Sequence, residues 1–502
     1  MATTNANTNR DEFAATFEQV ETMVGWLKGD EAAALSHGDL ETRLASDGRE
    51  VLRRMMQDHL DRRAEKEVRL DEVLDAEGTP HRSAESGHAR TLRTIFGEVV
   101  VERIAYRRPG HPNLHPADGV LNLPEEKQSH GLRRLAALEA PRDSYDSTVE
   151  AIERATGQHL GKRQVEEMVV RASTDVDAFY QTRSACDSDP DDVLVLSVDG
   201  KGIVMRRDSL RPATARAAER SATKLRTRLS GGEKANRKRI AEVGTVYDVT
   251  PEPRTPDDIL ARCDGAEHDH PAPVATNKWL TASVVHDAAE VVSGVFDEAE
   301  RRDPSHQRTW VALVDGNNDQ IDAIKAQARK RKIKVTILID LIHVMEYAWG
   351  AAWCFFNQGD PAAEKWVHQK VTEVLCGKAG LVAAAIRRKA TTRGLDPDKR
   401  ANADKCADYL LRKQPYLDYP TALAQGWPIA TGVIEGACRH LVKDRFDRTG
   451  SRWGLKGAEA VLKLRAVHSN GDFDKYWTFH QDQERRRIHQ SRYTTDIIPV
   501  AA

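Results

Sequence analysis

Two short apolar runs, each closed by Asp-Gly, constrain this chain more than any other feature. The first is Val193-Leu-Val-Leu-Ser-Val198, followed by Asp199-Gly200; the second is Trp310-Val-Ala-Leu-Val314, followed by Asp315-Gly316-Asn317. Apolar runs of this length bounded by turn residues predict buried strands. A carboxylate at the end of a buried strand is costly unless something pairs with it. Two of them, on two strands, point to a shared metal ion. Taken singly, either aspartate has a plainer explanation, because Asp-Gly is a common turn dipeptide.

The two runs sit inside a longer pattern. Ile240–Val249 alternates like a strand, Trp279–Val285 makes a third, and Ala288–Arg301 has helical spacing. The strand ending at Asp315 follows. Asp319–Lys332 is then a helix, with Asn318 placed to cap it, and Lys334–Ile339 is a fifth strand ending at Asp340. Three strands, a helix, a strand, a helix and a strand is the order of a ribonuclease-H-like mixed sheet. In that arrangement strands one and four are neighbours, which brings Asp199 beside Asp315. The basic excursion Ala213–Arg239 separates the first two strands and is expected to face solvent. Thr250–Ala275, rich in proline and acids, is expected to be loop.

The flanks are mainly helical. His343–Gln358 is an aromatic-rich helix and 361–417 gives further helices, an all-helical insertion. Trp427–Gly432 breaks it, a helix from Val433 to about Arg445 carries Glu435, and Trp453–His468 is another helix. Asp472–Ala502 is expected to be a polar, arginine-rich tail. Ahead of the sheet, helices run from Asp11 to about Ala76, the second from Leu40 to Leu74, and Glu77–Gly87 is a linker. Thr91–Tyr106 is a β-hairpin turning at Phe96-Gly97, and Arg107–Gly119 is loop. Gln128–Thr182 is helical again. There Gly157 and Gly161 set a turn before a helix that opens Lys162-Arg163-Gln164, a helix-turn-helix-like pattern. The fold class is therefore α+β/α: a ribonuclease-H-like mixed-sheet core with an all-helical insertion and helical N-terminal domains. Its divisions are 1–88, 89–127, 128–190, 191–343, 344–428, 429–470 and 471–502.

Lys and Arg number 75 against 77 Asp and Glu, so net charge does not mark a nucleic-acid binder. Distribution does more: Arg206–Arg239 and Arg439–Arg465 are basic, and such patches grip polyanions or simply face solvent. No apolar run of about 18 residues predicts a membrane span. The N-terminus lacks a basic–apolar leader pattern. A cytoplasmic, nucleoid-associated protein is expected. The six cysteines include no Cys-x-x-Cys pair, which argues against a zinc knuckle or a disulfide framework. His111 and His115 lie in a loop without cysteine or carboxylate partners at metal spacing, so no metal is expected there.

Three acids carry the candidate chemistry: Asp199, Asp315 and Glu435. Magnesium takes hard oxygen ligands and keeps waters and phosphate oxygens around it. Two such ions, roughly 3.5–4 Å apart, activate a nucleophile and stabilise the leaving oxygen of an in-line displacement. Histidine or cysteine would select softer metals.

Four blocks together carry a family likeness. They are Ser197-Val-Asp199-Gly200, Leu313-Val-Asp315-Gly316-Asn317, Asp340-Leu-Ile-His343-Val344, and Thr431-Gly-Val-Ile-Glu435-Gly-Ala-Cys-Arg439 continuing to Gly450-Ser-Arg452-Trp453. The chain thereby resembles bacterial DDE transposases of insertion sequences, the Kra-four family in particular. The likeness implies a ribonuclease-H-like catalytic domain with Asp199, Asp315 and Glu435 as ligands of two Mg2+ or Mn2+ ions. It implies that Asp340-x-x-His343 is an auxiliary motif, His343 orienting a carboxylate or positioning DNA and Asp340 a further or competing ligand. It implies double-stranded DNA as partner, at the element ends and at the target, cut and rejoined by a homodimer or larger synaptic assembly. Contacts would come from Lys162, Arg163 and Gln164, and from Arg439, Lys443, Arg445, Arg448 and Arg452. Arg439 and Lys443 follow Glu435 at four-residue steps, on one helical face; an ion pair between Glu435 and Arg439 is the plainer account. Trp453 is expected in the core rather than stacked on a base. The rival readings are a structure-specific nuclease on the same fold and an inactivated element that only binds DNA.

Overall fold

A computed structural model describes residues 12–184, 188–220, 233–234, 236–260, 272–448 and 450–500. The chain forms two compact units, Met1–Thr182 with Asp472–Ala502, and Arg183–Gly471.

The first unit opens with helices Ala14–Leu27, Asp30–Ala33 and His37–Glu65. The long helix stops short of Leu74 because Val73–Leu74 pairs antiparallel with Pro80–His81 around Gly78, which sits at φ +75. The expected linker is thus largely a small hairpin. Ser83–Glu85 pairs with Ala105–Arg107, and Arg90–Arg93 with Glu98–Val101 around Gly97. Leu60, Leu92, Val99, Val101 and Leu123 close one core beneath these strands. His130–Glu139 is followed by α1 (Tyr145–Thr156) and α2 (Lys162–Ala172). Gly157 ends α1 at φ +69, and the Gly161 N–H donates to Gln164 Oε1 at 3.1 Å to cap α2.

The expected polar tail is instead a helix, Phe473–Ile488. Arg486 and Arg487 face outward. Phe473, Tyr476 and Trp477 are buried, and Glu484 accepts a hydrogen bond from Arg133 at 2.7 Å. Composition alone hides such an amphipathic face.

The second unit is built on a mixed five-stranded sheet: β1 (Val193–Val204), β2 (Lys238–Val249), β3 (Ala275–Ser283), β4 (Trp310–Val314) and β5 (Val335–Ile339), in the order β5-β4-β1-β2-β3. β1, β2 and β3 form an antiparallel meander, and β4 runs parallel to both β1 and β5. β1 does not end at Asp199. Its ladder with β2 continues to Val204 opposite Lys238, and only the parallel partner stops, at Leu313 opposite Ser197. β3 begins at Ala275, earlier than its apolar run suggests, because β2 supplies partners that far.

Helices α3 (Ala288–Arg302) and α4 (Asn318–Arg331) follow β3 and β4. A Cβ on Gly244 would stand 2.5 Å from Val295 Cγ2, so α3 lies close on β2. Asn317, not Asn318, caps α4, accepting from the Asp319 N–H at 2.9 Å. α5 (Leu341–Ala352) starts directly after β5. The insertion continues with Pro361–Leu375, Ala379–Thr392, α6 (Pro397–Lys413) and Tyr419–Ala424. α7 (Gly432–Ala437) then leads through a π-helical stretch, Cys438–Lys443, towards α8 (Leu455–Ser469). The basic excursion starts as a helix, Pro212–Arg220, and ends within β2; its residues 221–232 and 235 lie outside the described residues. The loop before β3 contains a helix, Pro256–Leu260, and its residues 261–271 likewise lie outside them.

One buried charge fixes the end of the sheet away from the acids. Asp248 is fully buried and accepts from Arg308 Nη2 at 2.8 Å, Asn277 Nδ2 at 3.0 Å and Ser188 Oγ at 2.7 Å. Removing one partner of a buried pair leaves an uncompensated charge. Asp248→Ala should therefore lower stability by about 3–5 kcal/mol, and Asp248→Asn by less. Urea unfolding of the full chain, followed by circular dichroism, measures both; an unmoved Asp248→Ala midpoint contradicts the expectation.

Candidate active site

The ladders place the acids. β4 meets β1 with Leu313 opposite Ser197, and Ser197 Oγ donates to the Leu313 carbonyl at 2.6 Å. β4 meets β5 with Val314 opposite Ile339. Carried on past these pairs, both registers put Asp199, Asp315 and Asp340 in one row across three adjacent strands. Register partners in a parallel pair point to the same face, with strands about 4.8 Å apart. The Asp340 N–H donates to the Val314 carbonyl at 2.9 Å, so the strands still hold together at the row's edge. Beyond it Gly316, at φ +97, takes the chain off the sheet in a conformation only glycine adopts readily. Asp315 Oδ1 accepts from the Asn317 N–H at 2.7 Å and closes that turn.

Glu435 comes from α7, which packs on β1 and β2. One ligand atom each from Asp340, His343 and Glu435 lie within 4.8 Å of one another. Asp340 is fully buried. Its Oδ2 accepts from Thr431 Oγ1 at 2.5 Å and His343 Nδ1 at 3.2 Å, and its Oδ1 accepts from the Ile342 N–H at 3.0 Å. That hydrogen bond from His343, against the effect of burial, lifts His343 to about 9. The hydrogen bond to Asp340 thus favours the charged form of the His343 ring in metal-free protein. Burial, then the Asp340 and Asp199 charges, push the Glu435 carboxyl up. Asp199 Oδ1 accepts from the Gly200 N–H at 2.6 Å, and its Oδ2 accepts from the Cys438 thiol at 3.3 Å. Burial, then the Asp199 charge, raises that thiol, which stays protonated and donates.

Three neighbours escape sequence reasoning. Tyr409, on α6, stacks on Tyr347 at 3.9 Å and donates its hydroxyl to the Asp315 carbonyl at 3.1 Å. Lys413, also on α6, donates to the Asn318 side chain. The insertion thus clamps the turn that carries Asp315. Glu242 lies opposite Gly200 on β2, its carboxyl pushed up by burial and then by Asp199. Only a known β1–β2 register would have singled it out. Cys438, by contrast, sits three residues after Glu435, where a helix returns to its own face.

The expected contact residues divide. Arg439, Lys443, Arg448 and Arg452 are exposed. Arg439 lies 3.9 Å from Asp444, and no Glu435–Arg439 ion pair forms among the described residues. Arg445 is only 2% exposed; its guanidinium lies 4.6 Å over the Trp453 ring, which packs on Phe446. Arg445 and Trp453 are therefore core and are not offered to a ligand. In the first unit, Lys162 and Arg163 are exposed on the opening turn of α2, paired with Asp146 and Glu167, while Gln164 serves as the cap. Surface pairs of this kind are weak and readily exchanged for a phosphate.

No family model and no curated protein matches the chain. Among solved structures it is similar to a Drosophila P element transposase strand transfer complex, at 10% identity over 72% of this chain and 83% of that one, with a TM-score of 0.23. A likeness so slight has no bearing on the chemistry.

The Asp340–His343 pair has a measurable signature. In metal-free protein, NMR titration should place His343 near 9, and Asp340→Asn should return it towards about 6.5. Because the folded value is the higher one, the pair's contribution to stability is complete below about 6.5 and fades as pH rises through the folded value. A His343 that titrates normally in the wild type contradicts the pairing.

Proposed function

We propose that this chain is a DDE transposase with a ribonuclease-H-like core, which binds the terminal inverted repeats of its element and cuts and rejoins DNA. The observation that carries the reading is the row Asp199–Asp315–Asp340 on parallel strands, with Glu435 brought to the same end of the sheet. The strand order β5-β4-β1-β2-β3 with helices after β3, β4 and β5 supports the core assignment.

The donor set is made of carboxylate oxygens, which suits Mg2+ or Mn2+. Asp199, Asp315 and Glu435 would between them hold two such ions, which when bound make water a stronger nucleophile and offset phosphate charge. Asp340 has both oxygens engaged and acts as the positioning residue, with His343 as its counter-ion. Tyr409 steadies the turn after Asp315. Arg439 and Lys443 lie beyond Glu435 on its exposed side, where a scissile phosphodiester would run. Water attacks phosphorus at an element end, releasing a 3′ hydroxyl and leaving a 5′ phosphate. That hydroxyl then attacks a target phosphodiester, forming one P–O bond as another breaks. Two ends must be joined together, which calls for a dimer or larger assembly. Lys162, Arg163 and Gln164 on α2 are the end-reading residues.

Asp199→Asn and Glu435→Gln should each lower strand transfer by about 10³-fold or more, as expected for several kcal/mol of lost transition-state stabilisation. Binding to end oligonucleotides should persist. Transfer at near wild-type rate by either variant would sink the assignment, and metal-dependent cutting without joining would favour a nuclease. Separately, Lys162→Ala should weaken end binding and reduce the slope of log K against log salt by about one. An unchanged slope removes Lys162 from the phosphate contacts.

A further inference from the structure

The structure assigns a second metal site, in the first unit and apart from the carboxylate row, to Asp75, His81 and His111. We infer that it takes a divalent transition ion, zinc in the first place. Asp75 lies at the turn of the Val73–His81 hairpin, His81 at the hairpin's end, and His111 in the loop after Ala105–Arg107. The three converge from segments about thirty residues apart, which is why spacing in the loop alone gives no hint of them.

The geometry is that of a built site. Asp75 Oδ1 is occupied by two backbone donors, the Glu77 N–H at 3.0 Å and the Thr79 N–H at 2.8 Å, so Oδ2 is the oxygen left to point at the histidines. His81 is 1% exposed, and its Nδ1 faces the Tyr106 carbonyl at 3.3 Å. A carbonyl only accepts, so Nδ1 carries a proton there, and in the neutral ring Nε2 presents its lone pair. Nε2 lies 3.3 Å from Asp75 Oδ2, and His111 Nδ1 lies 3.4 Å from that same oxygen. All three atoms are within 4.8 Å of one another. Two acceptors facing each other at that distance repel unless a proton or a metal ion stands between them, and only a metal ion meets His81, His111 and Asp75 together. Zinc with ligands at 2.0–2.1 Å in a tetrahedron has ligand–ligand edges of about 3.3–3.4 Å, and both edges at Asp75 have that length. A backbone carbonyl fixing the histidine tautomer, and backbone amides fixing the carboxylate, are what such sites have around their ligands. His111 is the most open of the three, with its side chain 34% exposed, so the ion's fourth position faces solvent.

Structure also gives the ion a task. Strands of two or three residues are not stable alone, and this part of the unit consists of them. A metal tying Asp75 and His81 to His111 would hold the small hairpin against the following loop. Thr494 donates to the Asp75 carbonyl at 2.6 Å, so the segment after the C-terminal helix is fastened to the same turn.

The test uses full-length protein stripped with chelator and titrated with Co2+ as a spectroscopic probe, then with Zn2+ by calorimetry. Four proteins are compared: wild type, His111→Ala, Asp75→Asn and Glu435→Gln. His111 is chosen because its exposure spares the fold, which circular dichroism checks. The expected result is one tetrahedral Co2+ band set that survives in Glu435→Gln and is lost in His111→Ala and Asp75→Asn. Zinc affinity should fall at least roughly 100-fold in those two, since even outer-shell changes cost 10–100-fold. Absence of tetrahedral bands in the wild type overturns the inference. So does an unchanged spectrum in His111→Ala, or loss of the bands in Glu435→Gln alone. None of these outcomes depends on strand transfer, so the two readings fail separately.

Discussion

The parallel register of β4 between β1 and β5 is the constraint on which the rest of the second unit depends. A slip of one residue turns every side chain of a strand to the other face. Here it would replace Asp315 in the row by Val314 or Gly316. The register is held by bulk: every residue of β4, Trp310 to Val314, is buried, and Ser197 and Leu313 add a side-chain hydrogen bond within the ladder. A strand buried on both faces cannot trade one face for the other without stranding apolar surface in water. Asp199 and Asp315 stand past the buried stretch and are half-buried. Strand burial and site placement are thus one constraint.

Asp340 is the exception, because it is wholly buried. It is tolerable there for what surrounds it: the His343 ring, a threonine hydroxyl and a backbone N–H. The threonine comes from just before α7, beyond the whole insertion. The Leu341 N–H donates to the Ile429 carbonyl at 2.9 Å, and Tyr419 donates to the Ile339 carbonyl at 2.9 Å. The chain therefore leaves the sheet after β5 and returns to the same point. The position of Glu435 follows from this stitching and not from the length of the insertion, which is free to carry Tyr409 and Lys413 back onto the Asp315 turn.

What could be read from the sequence divides along the same physical line. Apolar runs with Asp-Gly endings marked β1 and β4, and their order with the intervening helices marked the mixed sheet, because burial and turn chemistry are local. The end of β1 was not legible: Gly200 and Gly202 resemble a turn, yet β2 continues beside them. Glu242, Tyr409, and the trio of Asp75, His81 and His111 were not legible either, since each depends on a pairing between distant segments. The helix Phe473–Ile488 is masked in the sequence by its charged and polar residues, while three aromatics face in. Arg445 shows the converse: in the sequence it reads as one more cation of a basic run, yet its guanidinium covers Trp453.

The basic helix after Glu435 needs a geometric device that no residue list reveals. In an α-helix, steps of four residues drift by about 40° each, so Lys443 would lie about 80° round from Glu435. Exposure instead recurs every four residues, at Glu435, Arg439, Lys443 and Asp447, with buried residues between. The π-helical stretch Cys438–Lys443 supplies the difference, since its wider turn takes up the drift. Acid and cations consequently stay in line along the exposed side. Beneath them Leu441, Val442 and Phe446 remain in the core, and Cys438 reaches Asp199. Straightening this stretch into regular α-helix would turn either Lys443 towards the core or Cys438 away from Asp199. The same widening therefore fixes both the outer row of charge and the inner contact with the first strand.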